Sequence, residues 1–142
     1  VALSWTEDRD DPQYEIVREV EEVLRSARDA RGRSLELHRI HHPRPIEMTA
    51  EEAAGVDQVD STWARPAGNR IAATYINYYP DNSVVVVPQF DDEKLDRAAK
   101  AKLAELFPDH RIVGIDNSRE ILLGGGNVAC ITLPVYAGQT KA

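Results

Sequence analysis

The chain has 142 residues, 42% of them apolar and 29% charged, which suits one compact globular unit and excludes a disordered or low-complexity chain. A net charge of −7 argues against a generic phosphate-backbone binder, and no apolar run nears the ~20 residues that span a bilayer, so neither nucleic acid nor membrane is an expected partner. The single cysteine forbids an internal disulfide and fits a reducing, cytoplasmic setting.

In chain order, "VALSW" (1–5) reads as a short strand. A chain that opens on a core strand, with no initiator methionine, reads as a trimmed start. Asp11 is the expected N-cap of a helix with Pro12 at its first position. Ile16, Val17, Val20, Val23, Leu24 and Ala27 recur at helical spacing, forming one apolar stripe to about residue 30, and Gly32 ends the helix. "SLELHRI" (34–40) alternates apolar and polar residues as a strand does. Residues 41–68, punctuated by Pro43, Pro45, Gly55, Pro66 and Gly68, read as loop, with a capping box from Thr49 to Glu52 opening a short helical turn.

Two strands follow, 70–79 and 83–90, joined by the turn "PDN". The run Val84–Val87 lacks alternation, which predicts a strand covered on both faces. Asp91 or Asp92 caps the next helix, whose stripe is Leu95, Ala98, Ala99, Leu103 and Leu106 and whose stop is Pro108. "RIVGID" (111–116) reads as a strand, then a polar turn leads to three glycines, and 130–135 reads as a last strand. A strand–helix–strand unit thus occurs twice, Val1 to Ile40 and Val84 to Asp116, which predicts an α/β architecture with helices packed on sheets.

Cys130, four residues after the last glycine, carries two readings: a small buried apolar residue, or a nucleophile presented by a loop whose glycines admit a ligand. The glycines do not have phosphate-loop spacing. His38, His41, His42 and His110 read as surface side chains before they read as bases, and their spacing with one cysteine does not build a zinc site. Arg65, Asn69 and Arg70 cluster at a loop-to-strand junction. Asn77, disfavoured inside a strand of aromatic and β-branched residues, is either a site-lining amide or a bulge or strand-end residue.

The run "EILLGGGNVACIT" resembles the C-terminal signature of agmatine deiminases and bacterial-type peptidylarginine deiminases, members of the guanidino-group-modifying (pentein) superfamily. "RPAGNRIAATYINYY", "SVVVVPQF", "LAELFPDHRIVGID", "LSWTEDRDDPQYEI" and "MTAEEAAGVD" resemble other segments of that family in the same order. The resemblance implies a pentein-type α/β propeller, of which this chain is the C-terminal part: about two ββαβ blades of five, near 1–69 and 70–142. It implies a hydrolase in which the thiolate of Cys130 attacks a guanidinium carbon, ammonia leaves, and water releases a ureido product. Gly125, Gly126, Asn127 and Asn77 are the expected substrate-binding residues. The expected ligand is a small cationic guanidino compound, agmatine foremost, on the route to putrescine and polyamines, with no metal or organic cofactor.

The sequence departs from the family pattern in three places. None of its histidines opens an H-x-D motif, the expected proton-handling element: they read "HRI", "HHP", "HPR" and "HRI". Ala129 stands where histidine commonly precedes the cysteine, and "LPV" replaces a glutamine-rich ending. The 142-residue chain alone is therefore expected to be inactive. The alternative is a non-catalytic binding or oligomerisation module, and in either case the open blade edges favour self-association or pairing with the absent N-terminal blades.

Overall fold

The computed structural model describes residues 1–57, 59–61, 63–116 and 118–135. Its elements follow in order: β1 (Ala2–Trp5), α1 (Gln13–Ser26), β2 (His38–His41), α2 (Ala50–Ala54), β3 (Tyr79–Pro80), β4 (Val84–Pro88), α3 (Glu93–Leu106), β5 (Arg111–Ile115) and α4 (Ser118–Leu123). Among the described residues the strands form two small sheets. β1 pairs with β2 in parallel, Ala2 opposite His38 through Trp5 opposite His41. β4 lies between β3, which runs antiparallel to it, and β5, which is parallel, with Val84 opposite Arg111. The expected mixed α/β architecture is present.

Both crossover helices start on aspartates. The Asp11 carboxylate accepts the Gln13 N–H at 2.8 Å and its carbonyl accepts that of Tyr14 at 2.8 Å. Asp92 Oδ1 accepts from Leu95 N at 3.1 Å, after Asp91 turns the chain at φ 59°, a left-handed value that aspartate tolerates better than most residues. α1 ends at Ser26, earlier than the apolar spacing predicts, because Ala27 turns extended and Arg28 bridges Ser34 across a tight loop. The predicted strand 34–40 forms only from His38, shifted to where it meets β1.

The main core joins the two sheets. Ile40 of β2, Val85 and Val87 of β4, and Ala99 and Leu103 of α3 close around Tyr75. Within the valine run, Val85 and Val87 are fully buried while Val84 and Val86 are half-buried, so coverage is complete on one face and partial on the other. A second cluster packs Val17 and Leu24 of α1 on Leu3 and Trp5 of β1. The predicted single stripe of α1 is divided: Ile16, Val20 and Val23 face outward, 49%, 39% and 60% exposed. The guanidinium groups of Arg18 and Arg39 lie 4.7 and 3.7 Å from the Trp5 ring, and Arg39 also grips Glu21 through two bonds of 2.8 and 2.6 Å.

Three predicted elements differ in kind. Residues 70–78 are not a strand, and only Tyr79 and Pro80 pair with β4. Their backbone is claimed by neighbours one group at a time: Ile71 N–H bonds Ile46 O at 2.9 Å, and Asn77 O receives Ala129 N–H at 3.3 Å. Tertiary anchoring therefore overrides β propensity here. The polar turn expected before the glycines is the helix α4. The strand expected at 130–135 is instead a 3₁₀ turn over Val128–Ile131, continued by irregular chain to residue 135. An asparagine N-cap starts that turn, since Asn127 Oδ1 accepts Val128 N–H at 2.9 Å. Residues 136–142 of the expected second blade lie outside the described residues.

Tyr75 donates its hydroxyl to Asp96 Oδ1 at 2.7 Å inside the main core, and the same oxygen accepts Phe90 N–H at 3.0 Å. Burial first, and then this bond to a carboxylate, hold the phenol well above its ordinary range. Tyr75→Phe leaves the buried carboxylate short of one donor. It is expected to lower the unfolding free energy by about 1–3 kcal/mol in urea titrations, with an unchanged slope.

Candidate active site

Cys130 sits on the 3₁₀ turn that follows α4, so the anchors of α4 set its position. Ser118, 1% exposed, donates to Ile115 O at 3.0 Å and accepts from Gln89 N at 3.1 Å, pinning the helix start between β4 and β5. Leu122 packs against Met48 and Ile71. Arg119 donates to both carboxylate oxygens of Glu52 at 2.6 and 2.7 Å and to Glu47 O at 2.7 Å. Glu52 is itself the third helical residue of the predicted capping box, exchanging bonds with Thr49. At the other end of α4, Arg65 donates to Leu123 O at 2.6 Å.

Past α4 the chain turns at Gly125, whose φ of 103° is a conformation that only glycine adopts readily. Gly126 is held to glycine for a different reason. A Cβ there would come within 2.5 Å of both Cβ and Sγ of Cys130. Asn127, 1% exposed, donates to Ser118 O at 3.1 Å while its Oδ1 caps the 3₁₀ turn. Its side chain therefore joins the two ends of the cysteine loop.

Cys130 itself is exposed, so the buried-filler reading fails. Asn77 lies beside it: Nδ2 donates to Sγ at 3.1 Å, and Oδ1 accepts Ala129 N–H at 2.9 Å. The Asn77 amide and then the backbone N–H of Asn127 lower the thiol from its ordinary value, against a smaller opposing effect of burial. The sulfur is thus open to solvent on a loop that directs hydrogen-bond donors at it. Of the expected site residues, Gly126, Asn127 and Asn77 converge on this sulfur. Gly125 instead borders an open cavity of about 340 Å³, shared with Arg65, Asn69, Arg70, Met48 and Leu122.

The histidines are placed elsewhere. His42 has Nδ1 2.7 Å from Pro43 O, His110 meets Phe107 edge-on, His38 lies 3.2 Å from Glu36, and His41 is exposed. Among the described residues none bonds Cys130, no group of three or more His, Cys, Asp or Glu could hold a metal ion, and no helix is long and apolar enough to cross a membrane.

Residues 1–135 match the family described as Porphyromonas-type peptidyl-arginine deiminase. The chain belongs to that family. Its relatives in this deiminase family include the agmatine deiminase of Medicago truncatula, 48% identical over 132 residues, and that of Ectopseudomonas mendocina, 46% identical over 139. These alignments cover 93% and 98% of this chain but 35% and 37% of the relatives, so the chain spans little more than a third of their length. Among solved structures, the agmatine deiminase of Enterococcus faecalis superposes with a TM-score of 0.78 at 36% identity, over 92% of this chain and 35% of that one.

Two parts of this deiminase-family site escape the sequence reading. The Glu52–Arg119 clamp joins residues far apart in the chain and leaves no local signal. α4 did leave one, since Ser118 followed by Ile121 and Leu122 is a helix start with apolar helical spacing. The Arg65–Asn69–Arg70 cluster also resolves into parts: Arg70 bonds the buried Asp11 at 2.6 Å. Burial opposes ionisation of Asp11, but the bonds from Arg70 and Gln13 outweigh it and hold the carboxyl below its ordinary range.

Two outcomes are expected from this geometry. Arg119, followed by the Thr49 N–H, brings Glu52 down to about 2. A carboxyl whose pKa is lowered by folding contributes fully above the ordinary glutamate range near 4.5 and loses that contribution as pH falls through 2. Stability measured by denaturant titration should therefore fall less between these pH values in Arg119→Ala than in the native chain. Gly126→Ala should push Cys130 off the Asn77 amide. Alkylation by iodoacetamide at neutral pH, followed at the Cys130 peptide by mass spectrometry, should then slow severalfold.

Proposed function

We propose that this chain supplies the nucleophile loop of a guanidine deiminase, with agmatine as the favoured substrate. The observation that carries the reading is the exposed Cys130 sulfur, held by Asn77 at 3.1 Å on a loop whose glycine backbone lies against it. The thiolate adds to the guanidinium carbon, the tetrahedral adduct expels ammonia, and a thiouronium-type adduct remains on sulfur. Water then adds to that carbon and the thiolate leaves, so guanidinium and water become a ureido group and ammonium. Gly126 lies against the sulfur, Gly125 turns the chain into the loop, and Asn127 and Asn77 hold the loop and line its edge, where the substrate would bind. The family's description and the relatives' names support the substrate class. Ala129, in place of the usual histidine, bears on which guanidino compound is taken: agmatine, free arginine or an arginine side chain. A reduced thiol in this role accords with a cytoplasmic protein.

The chain contributes about two ββαβ blades of an α/β propeller, near 1–69 and 70–142. The order β3, β4, α3, β5, with one antiparallel and one parallel pairing, supports the second, and the parallel β1–α1–β2 unit supports the first. With no H-x-D among its histidines, the proton-handling histidine and the guanidinium-gripping carboxylates come from polypeptide beyond these residues. The outward apolar side chains Ile16, Val20 and Val23 favour association with those blades or with a second copy.

The test is ammonia release from agmatine, arginine and an arginine peptide by the full-length protein carrying this chain. Agmatine should be turned over fastest, and Cys130→Ala should lose activity by several orders of magnitude. Retention of activity in Cys130→Ala would sink the nucleophile assignment. Cysteine-dependent ammonia release by the 142-residue chain alone would instead show that the remaining groups lie within it.

A further inference from the structure

The carboxamide of Asn77 has its orientation fixed from outside. A backbone N–H can only donate, so the bond from Ala129 N at 2.9 Å must end on Oδ1, and the NH₂ group is then the end that faces Cys130 Sγ at 3.1 Å. The backbone is held as well, because Asn77 O accepts the same Ala129 N–H at 3.3 Å. One residue thus grips the turn next to the cysteine and points a donor at its sulfur. The other groups on the sulfur are Gly126, packed against it, and the backbone N–H of Asn127. Among the described residues, the groups shifting the ionisation of Cys130 are these neutral donors, with no charged side chain among them.

We propose that Asn77 is the residue that holds and aims the Cys130 sulfur by donating to it, a positioning role rather than a grip on the substrate. The inference rests on the reading of Cys130 as nucleophile and adds what activates it. A neutral amide neither takes nor gives a proton at working pH. It favours the anion over the thiol by hydrogen bonding, and it restricts where the sulfur sits. That function suits a loop in which Ala129 supplies no imidazole beside the cysteine. It also predicts a trade: a donor that stabilises the thiolate raises the fraction ionised while lowering the reactivity of each anion.

The experiment is the pH profile of iodoacetamide alkylation at Cys130, read by mass spectrometry on the full-length protein, with folding checked by circular dichroism. Asn77→Asp keeps the shape and the bond to Ala129 N–H but turns an anionic oxygen toward the sulfur. Its rate at pH 7 should fall about tenfold or more. Asn77→Ala removes the donor without adding charge and should show a smaller loss at pH 7, with a high-pH plateau no lower than native. Profiles that superimpose on the native one overturn the proposal. So does equal slowing at every pH in both variants, which reports access rather than ionisation. If Asn77→Asp does not fold, Asn77→Ala alone decides by the same criteria. These readings are independent of turnover: ammonia release that survives Cys130→Ala would remove the nucleophile reading while leaving the Asn77–thiol coupling measurable.

Discussion

The bond from the Tyr75 hydroxyl to Asp96 inside the main core is the constraint on which the site depends. It ties the irregular segment 70–78 to α3, and Asn77 follows Tyr75 by two residues. A strand would have placed Tyr75 and Asn77 on one face of a sheet, alternating with their neighbours. The observed path instead sends Tyr75 inward, fully buried, and leaves Asn77 at the surface to meet the 3₁₀ turn. The same segment is fixed at its start by Arg70 on Asp11, at the head of α1. Three elements distant in sequence thereby hold one carboxamide in place.

The pattern of what the sequence revealed follows from the range of the forces involved. The two crossover helices were legible from local signals, although the cap residue of α1 is Pro12 rather than the expected Asp11 and its apolar stripe is divided, and the capping box at Thr49 and Glu52 formed as its spacing predicts. The short strands were placed correctly in number and order for β1, β2, β4 and β5. Their ends moved because pairing partners, rather than propensity, decide where a strand of four or five residues stops. Residues 70–78 and 130–135 read as strands from composition. They are held otherwise, the first by scattered tertiary bonds and the second by an asparagine cap. Cys130 stood out through its glycines, and Asn77 through its poor fit to a strand. Their meeting joins residues 53 apart and has no local signature.

Family membership and local geometry answer different questions about this chain. The match over residues 1–135 fixes the family, and the chain spans little more than a third of the length of its relatives. The geometry adds how this chain holds its thiol. α4 is braced at its start by Ser118, along its length by Arg119, and at its end by Arg65. This bracing lets an exposed loop of three glycines present a defined sulfur, where unsupported glycines would wander among conformers.

The close approach of Gly126 to Cys130 has a stereochemical consequence. The glycine backbone shields one side of the sulfur and the Asn77 amide occupies another, so an electrophile can arrive only through the remaining solid angle. A planar carbon that comes from the open side therefore presents one face to the sulfur. On the proposed deiminase reading, selection among guanidino compounds becomes partly a matter of approach direction, set by backbone, and not only of which charges surround the bound ligand.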